Sequence, residues 1–104
     1  MAYLTRDENE VLHRAKMKVR ALNHPLRQKM LSLIKKNQNR MNVTDIYVKL
    51  RIEQSVASQH LSILRNEGLV NTERAGKTIW YSVNDDAIQL LLDTCGQVSL
   101  AVAA

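Results

Sequence analysis

The run Gln54-Ser55-Val56-Ala57-Ser58-Gln59-His60-Leu61-Ser62-Ile63-Leu64-Arg65-Asn66-Glu67-Gly68 has two opposed sides, one apolar and one polar. Ala57, Leu61 and Leu64 stand at i, i+4 and i+7, the spacing that lines up one side of a helix. The other side collects Gln54, Ser55, Ser58, Gln59 and Ser62, which carry no charge and many hydrogen-bonding groups. Gly68 suits the end of the helix, because glycine enters the left-handed conformation that closes one. A helix is therefore expected from Gln54 or Ser55 to Asn66-Glu67-Gly68, with one face for a core and one for a polar partner.

Working outward, Arg51-Ile52-Glu53 can turn a corner, and Asp45 to about Leu50 reads as a short helix with Ile46 and Leu50 on one face. Thr44 is expected as its N-cap, and Met41-Asn42-Val43 as a very short strand. Further upstream, about Asp7 to Leu22 carries Leu12, Ala15, Val19 and Leu22 at helical spacing. Asn23-His24-Pro25 breaks that helix, and Pro25 suits the first position of the next, which runs to about Lys36 with Leu26, Met30, Leu33 and Ile34 on one face. Downstream, Leu69–Arg74 and Thr78–Val83 are β-prone around the turn Ala75-Gly76-Lys77, with Ile79, Tyr81 and Val83 expected inward and Trp80 on the opposite face. Asn84 or Asp85 caps a last helix to about residue 102, striped with Ile88, Leu91, Leu92, Cys95, Val98 and Val102 and interrupted by Gly96.

A length of 104 residues fits one domain, residues 1–104, and 45% hydrophobic with 24% charged residues is the composition of a chain that folds. Lys and Arg outnumber Asp and Glu by 15 to 10, giving +5 at pH 7 and a pI near 9.7, which raises nucleic acid as a partner. The single cysteine, Cys95, excludes an internal disulfide framework and a Cys-rich zinc module. The opening MAYLTRDENEVLHRAK lacks the apolar core of a secretory signal, and no apolar run approaches the ~18 residues of a membrane span. A soluble, cytoplasmic protein is expected. No nucleophile, base or metal constellation stands out, so an enzyme is not expected.

Helix, helix, short helix, turn, polar-faced helix, hairpin and helix in that order describe a mainly α (α+β) fold. It is a winged helix-turn-helix of about five helices with a two-stranded β-hairpin wing. In that arrangement the polar-faced helix enters a DNA major groove. Gln54, Ser55, Ser58, Gln59 and Ser62 would supply its donors and acceptors, and glutamine can pair an adenine edge with two bonds. Arg74 and Lys77 flank the hairpin tip, where cations reach phosphates. The stripes of the first helix, about 7–22, and the last, about 85–102, offer more apolar surface than so small a monomer covers. They are the expected homodimer interface.

The runs Ala21–Arg27, Gln54–Arg65, Gly68-Leu69-Val70, Arg74 and Trp80-Tyr81-Ser82-Val83, taken in order, resemble the ArsR/SmtB family of bacterial transcriptional repressors. The resemblance covers about Ala21 to Asp86. It implies a homodimer paired through the first and last helices, two recognition helices on successive major grooves of an inverted-repeat operator, and an effector that releases the DNA. The family's sensor positions differ here. Where thiol-type metal sensors carry paired cysteines, this chain reads Val43-Thr44-Asp45-Ile46-Tyr47-Val48; where zinc sensors place four ligands, it matches Asp85 but has Ala87, Val98 and Ala101. One oxygen ligand makes no tetrahedral zinc site, so no metal cofactor or metal response is expected. Cys95 is left as a possible redox residue, although a cysteine in an apolar stripe ordinarily behaves as a small buried hydrophobe.

The polar face could be solvated surface, Arg74 and Lys77 ordinary surface charges, and His60 a packing or phosphate-bonding residue. His13 and His24 are isolated in sequence, and Asp85-Asp86 at a helix start favour the helix dipole rather than acid-base work. Two other functional classes fit the scaffold: a winged-helix protein-interaction module, and a regulator answering to a thiol reaction or a small apolar ligand.

Overall fold

A computed structural model describes residues 6–95. Its elements follow the expected order: α1 (Arg6–Leu22), α2 (Pro25–Lys36), β1 (Met41–Asn42), α3 (Val43–Leu50), α4 (Gln54–Asn66), β2 (Val70–Ala75), β3 (Thr78–Val83) and α5 (Asp85–Cys95). The continuation of the last helix past Cys95, with Gly96, Val98, Ala101 and Val102, lies outside the described residues.

The core gathers one face from every helix. Met30, Leu31 and Ile34 of α2, Ile46 of α3, and Ala57, Leu61 and Leu64 of α4 are all fully buried, with Leu22, Met41 and Leu69 among them. Each large apolar side chain so buried contributes about 1.5–3 kcal/mol relative to exposure, which is what holds α4 with its polar face outward. The α4 C-terminus closes as Gly68 suggested. Gly68 takes φ +72°, and the Leu69 amide donates to the Leu64 carbonyl at 2.9 Å. Lys18 of α1 adds a 2.6 Å bond from Nζ to the Glu67 carbonyl, placing a cation at the negative end of the helix.

Two local expectations are corrected. The N-cap of α3 is Asn42, not Thr44: Asn42 Oδ1 accepts from the Asp45 amide at 2.8 Å, and Thr44 is exposed inside the first turn. Asn42 can do this because it ends β1 with an extended backbone, so α3 begins at Val43, directly off the strand. Ile79, expected inward, is 40% exposed, because it lies toward the tip of the hairpin, while Val83 at the base reaches the core.

The wing is also broader than a hairpin. β1 pairs antiparallel with β3 through Met41↔Tyr81 and Asn42↔Trp80, giving a three-stranded sheet in the order β1-β3-β2. The pairing stitches the start of α3 to the wing. Trp80, expected on the face opposite Ile79 and Tyr81, is half-buried with the Arg40 guanidinium 4.3 Å above its ring.

Most of the described residues of the expected stripes serve the chain's own core: Leu22, Ile88 and Leu91 are buried in it, Val19 and Leu92 pack against it, and Leu12 is exposed. The other exposed large apolar side chains of these helices, Val11 and Met17 of α1 and Leu90 of α5, stand outside those stripes. Asn84 proves to be the N-cap of α5, accepting from the Ala87 amide at 3.2 Å. Asp85 forms an exposed ion pair with Lys35 at 2.7 Å, worth little in water.

Candidate nucleic-acid interface

The helix α3, the left-handed residue Arg51 (φ 55°) and the helix α4 make the helix-turn-helix. The Ile52 amide donates to the Tyr47 carbonyl at 3.1 Å and fixes the corner. With Ala57, Leu61 and Leu64 buried on one side, Gln54, Ser55, Ser58, Gln59 and Ser62 all stand exposed on the other. The face is uncharged except at its start, where Glu53 occupies the N-cap position and makes no side-chain bond to the helix. Five side chains with amide or hydroxyl groups therefore project together, which is the chemistry that base edges and phosphates accept.

The structure brings two of the expected residues into one groove. Ser58 of α4 and Lys77 of the wing line it with Asn42, Thr44, Thr78 and Tyr81, between the start of α3 and the hairpin. Thr44 was read from the sequence only as a helix cap and Thr78 only as the start of a strand, since only the β1–β3 pairing sets the start of α3 beside the wing. Arg74 is exposed but does not line this groove; its Nε donates back to the Gly76 carbonyl at 3.2 Å, holding it at the hairpin tip.

Behind α4 lies a cluster that sequence separation concealed. Arg27 of α2 donates from Nε to the Ala21 carbonyl at 2.6 Å and from Nη2 to the Arg20 carbonyl at 3.1 Å, and its Nη1 lies 3.2 Å from Nδ1 of His60 on α4. His24 caps α2 through its ring, Nδ1 accepting from the Leu26 amide at 3.2 Å, and its ring centre is 4.8 Å from that of His60. Burial, then the charges of His24 and Arg27, hold the pKa of His60 below the ordinary histidine value. The unfolded chain takes up this proton at higher pH than the folded one. Stability carried by the neutral ring is therefore whole above about pH 6.5 and is lost as pH falls from there through the lowered folded value.

Among the described residues no group of three or more His, Cys, Asp or Glu side chains is placed to hold a metal ion, and no helix is long and apolar enough to cross a membrane. The side chain of Cys95 lies outside what the structure describes.

Three helices around a helix-turn-helix corner with a β-wing alongside define the winged helix-turn-helix class. Within it, residues 24–72 match the family described as "Bacterial regulatory protein, arsR family". The crystal structure of NolR from Sinorhizobium fredii superposes with a TM-score of 0.70 at 33% identity, over 95% of this chain and 100% of that one. The transcriptional repressor PagR of Bacillus anthracis is 32% identical over 71 residues, 68% of this chain and 70% of that protein. The homodimeric winged helix-turn-helix DNA-binding domain Mb0332 of Mycobacterium bovis gives a TM-score of 0.74 at 25% identity, over 88% and 83%. The chain belongs to the arsR family of bacterial regulatory proteins. It spans 51% to 62% of the length of four further curated relatives that it matches.

Proposed function

We propose that the protein is a sequence-specific DNA-binding transcriptional repressor that acts as a homodimer on an inverted-repeat operator. The observation that carries this reading is the exposed, uncharged hydrogen-bonding face of α4, held outward by the buried stripe on its back. Gln54 and Gln59 read base edges, Ser55, Ser58 and Ser62 bond bases or phosphates, and Lys77 and Arg74 of the wing neutralise the backbone. Repression follows from occupancy, since a bound dimer excludes other proteins from the same duplex. That PagR is named a repressor and Mb0332 a homodimeric DNA-binding domain supports both parts. Val11, Leu12, Met17 and Leu90 leave apolar surface on α1 and α5 for a second copy, whose recognition helix would lie about 34–36 Å from the first. The residue types at Val43, Asp45, Ala87, Val98 and Ala101 support a repressor that does not answer to metals. Its place of action is then the cytoplasm, where the DNA is.

Selection of bound duplexes from random DNA tests the reading. An enriched inverted repeat is expected; equal binding of selected and random duplexes across salt concentrations would overturn sequence-specific repression. A reporter driven by the enriched site should fall in activity, and a rise would overturn the repressor part. On the enriched site, Gln59→Ala is expected to relax preference at one base pair per half-site, at a cost of about 1–3 kcal/mol. Lys77→Ala should instead weaken all duplexes alike and flatten the slope of log affinity against log salt by about one unit per lost phosphate contact. Anisotropy titrations at several salt concentrations distinguish the two.

A further inference from the structure

The Arg27–His60 contact joins three elements through one titratable acceptor. The carbonyls of Arg20 and Ala21 belong to the last turn of α1, where helix geometry leaves carbonyls without partners, and Arg27 satisfies both. Its remaining contact is with α4. A guanidinium can only donate, so Nδ1 of His60 is the acceptor, and the proton of the neutral ring sits on Nε2. A second proton can go only to Nδ1. There it removes the lone pair that Arg27 uses and sets a cation opposite a cation.

Among the described residues the charges that act on His60 are those of His24, at the N-cap of α2, and Arg27 on α2, and both oppose a proton on its ring. Arg20 of α1 and Glu67 at the end of α4 line a groove with Arg27, and neither is among the charges acting on His60. α1 meets the cluster with the Arg20 and Ala21 carbonyls, which Arg27 already occupies. On α4 the residues one turn away from His60, Val56, Ala57, Ile63 and Leu64, carry no charge. His24 cannot take over as acceptor through Nδ1, because that atom holds the Leu26 amide.

We propose that His60 is a pH-sensitive latch on the reading helix: neutral, it ties α4 through Arg27 to the α1–α2 corner, and protonated in mildly acid medium it releases α4 and lowers affinity for operator DNA. The proposal rests on the DNA-binding reading given above and names a regulation of that same site. Gln59 is the neighbour of His60 in the chain, and two-bond recognition of a base edge tolerates little displacement of the helix that presents it. The sign is diagnostic. Protonating a residue beside DNA ordinarily adds phosphate attraction and tightens binding, most of all for random sequence. The latch demands weaker binding in acid, and for the selected site in particular.

The test is fluorescence anisotropy with the selected and a random duplex, at constant ionic strength, from about pH 8 to about pH 5.5, the range in which histidine titrates. The wild-type affinity for the selected duplex is expected to fall severalfold by about pH 5.5, short of the roughly tenfold that one lost charge-assisted hydrogen bond gives on full protonation, because the folded pKa lies below the ordinary histidine value. His60→Asn keeps an acceptor oxygen near the position of Nδ1 but does not titrate, and its affinity should stay level over the same range. Wild-type binding that is flat or tighter in acid overturns the latch and leaves the DNA-binding reading standing. So does an equally steep fall in His60→Asn, which would trace the loss to other groups or to general acid unfolding followed by circular dichroism. Failure to bind any duplex at pH 8 overturns both.

Discussion

Replacing Leu12 by Asp is expected to leave the fold intact and to lower affinity for a two-half-site duplex by about a hundredfold or more. Leu12 is 45% exposed on α1, and Val11 and Met17 on the same helix are exposed too, so a carboxylate there is solvated in a single copy of the chain. In a dimer that covers this surface the same carboxylate loses its water and meets its symmetry mate, at a cost of several kcal/mol. One copy then has to hold one half-site without the other, and the gain from linked binding disappears. Light scattering should report a single chain, circular dichroism an unchanged helix content, and anisotropy a duplex affinity that no longer distinguishes one half-site from two. A variant that remains a dimer would exclude this part of α1 from the interface.

Leu61→Ala carries the largest expected loss of stability. Leu61 is fully buried in the common core, so truncation loses both the transfer of its methyl groups from water and their packing. That combination costs about 2–5 kcal/mol, a large share of the total for a domain of this size. The midpoint of thermal unfolding at fixed protein concentration should fall by roughly 10–30 °C. Ser62→Ala, one residue further along α4 but exposed, should leave that midpoint within about 2 °C and register in DNA binding instead. A Leu61→Ala protein as stable as the wild type would mean that α4 is not held by the stripe that orients its polar face.

The parts of the molecule legible from sequence are those decided within one element. Ala57, Leu61 and Leu64 reveal their common face because helical periodicity relates them directly, and the polar face follows by subtraction. Gly68 and Asn84 announce helix ends through conformational and hydrogen-bonding preferences of their own. What escaped depends on elements meeting. Asn42 displaces Thr44 as the cap because it also ends a strand paired with β3. Alternation correctly separated Val83 from its neighbours but could not tell that the hairpin carries Ile79 out past the core. His24 looked isolated along the chain, His60 read as a packing or phosphate-bonding residue, and Arg27 stood out only as the end of the run Ala21–Arg27. Only the crossing of α1, α2 and α4 brings the three together.

Trp80 is the chain's one tryptophan, and it sits in the wing strand with the Arg40 guanidinium against its ring. Indole emission responds to a cation held against the ring and to its exposure, so the unlabelled protein carries its own optical gauge of how the wing lies on the body. Tyrosines at positions 3, 47 and 81 absorb but emit at shorter wavelength. Excitation at the red edge therefore isolates one strand of one element, and displacement of Arg40 toward a passing phosphate would be seen as it happens.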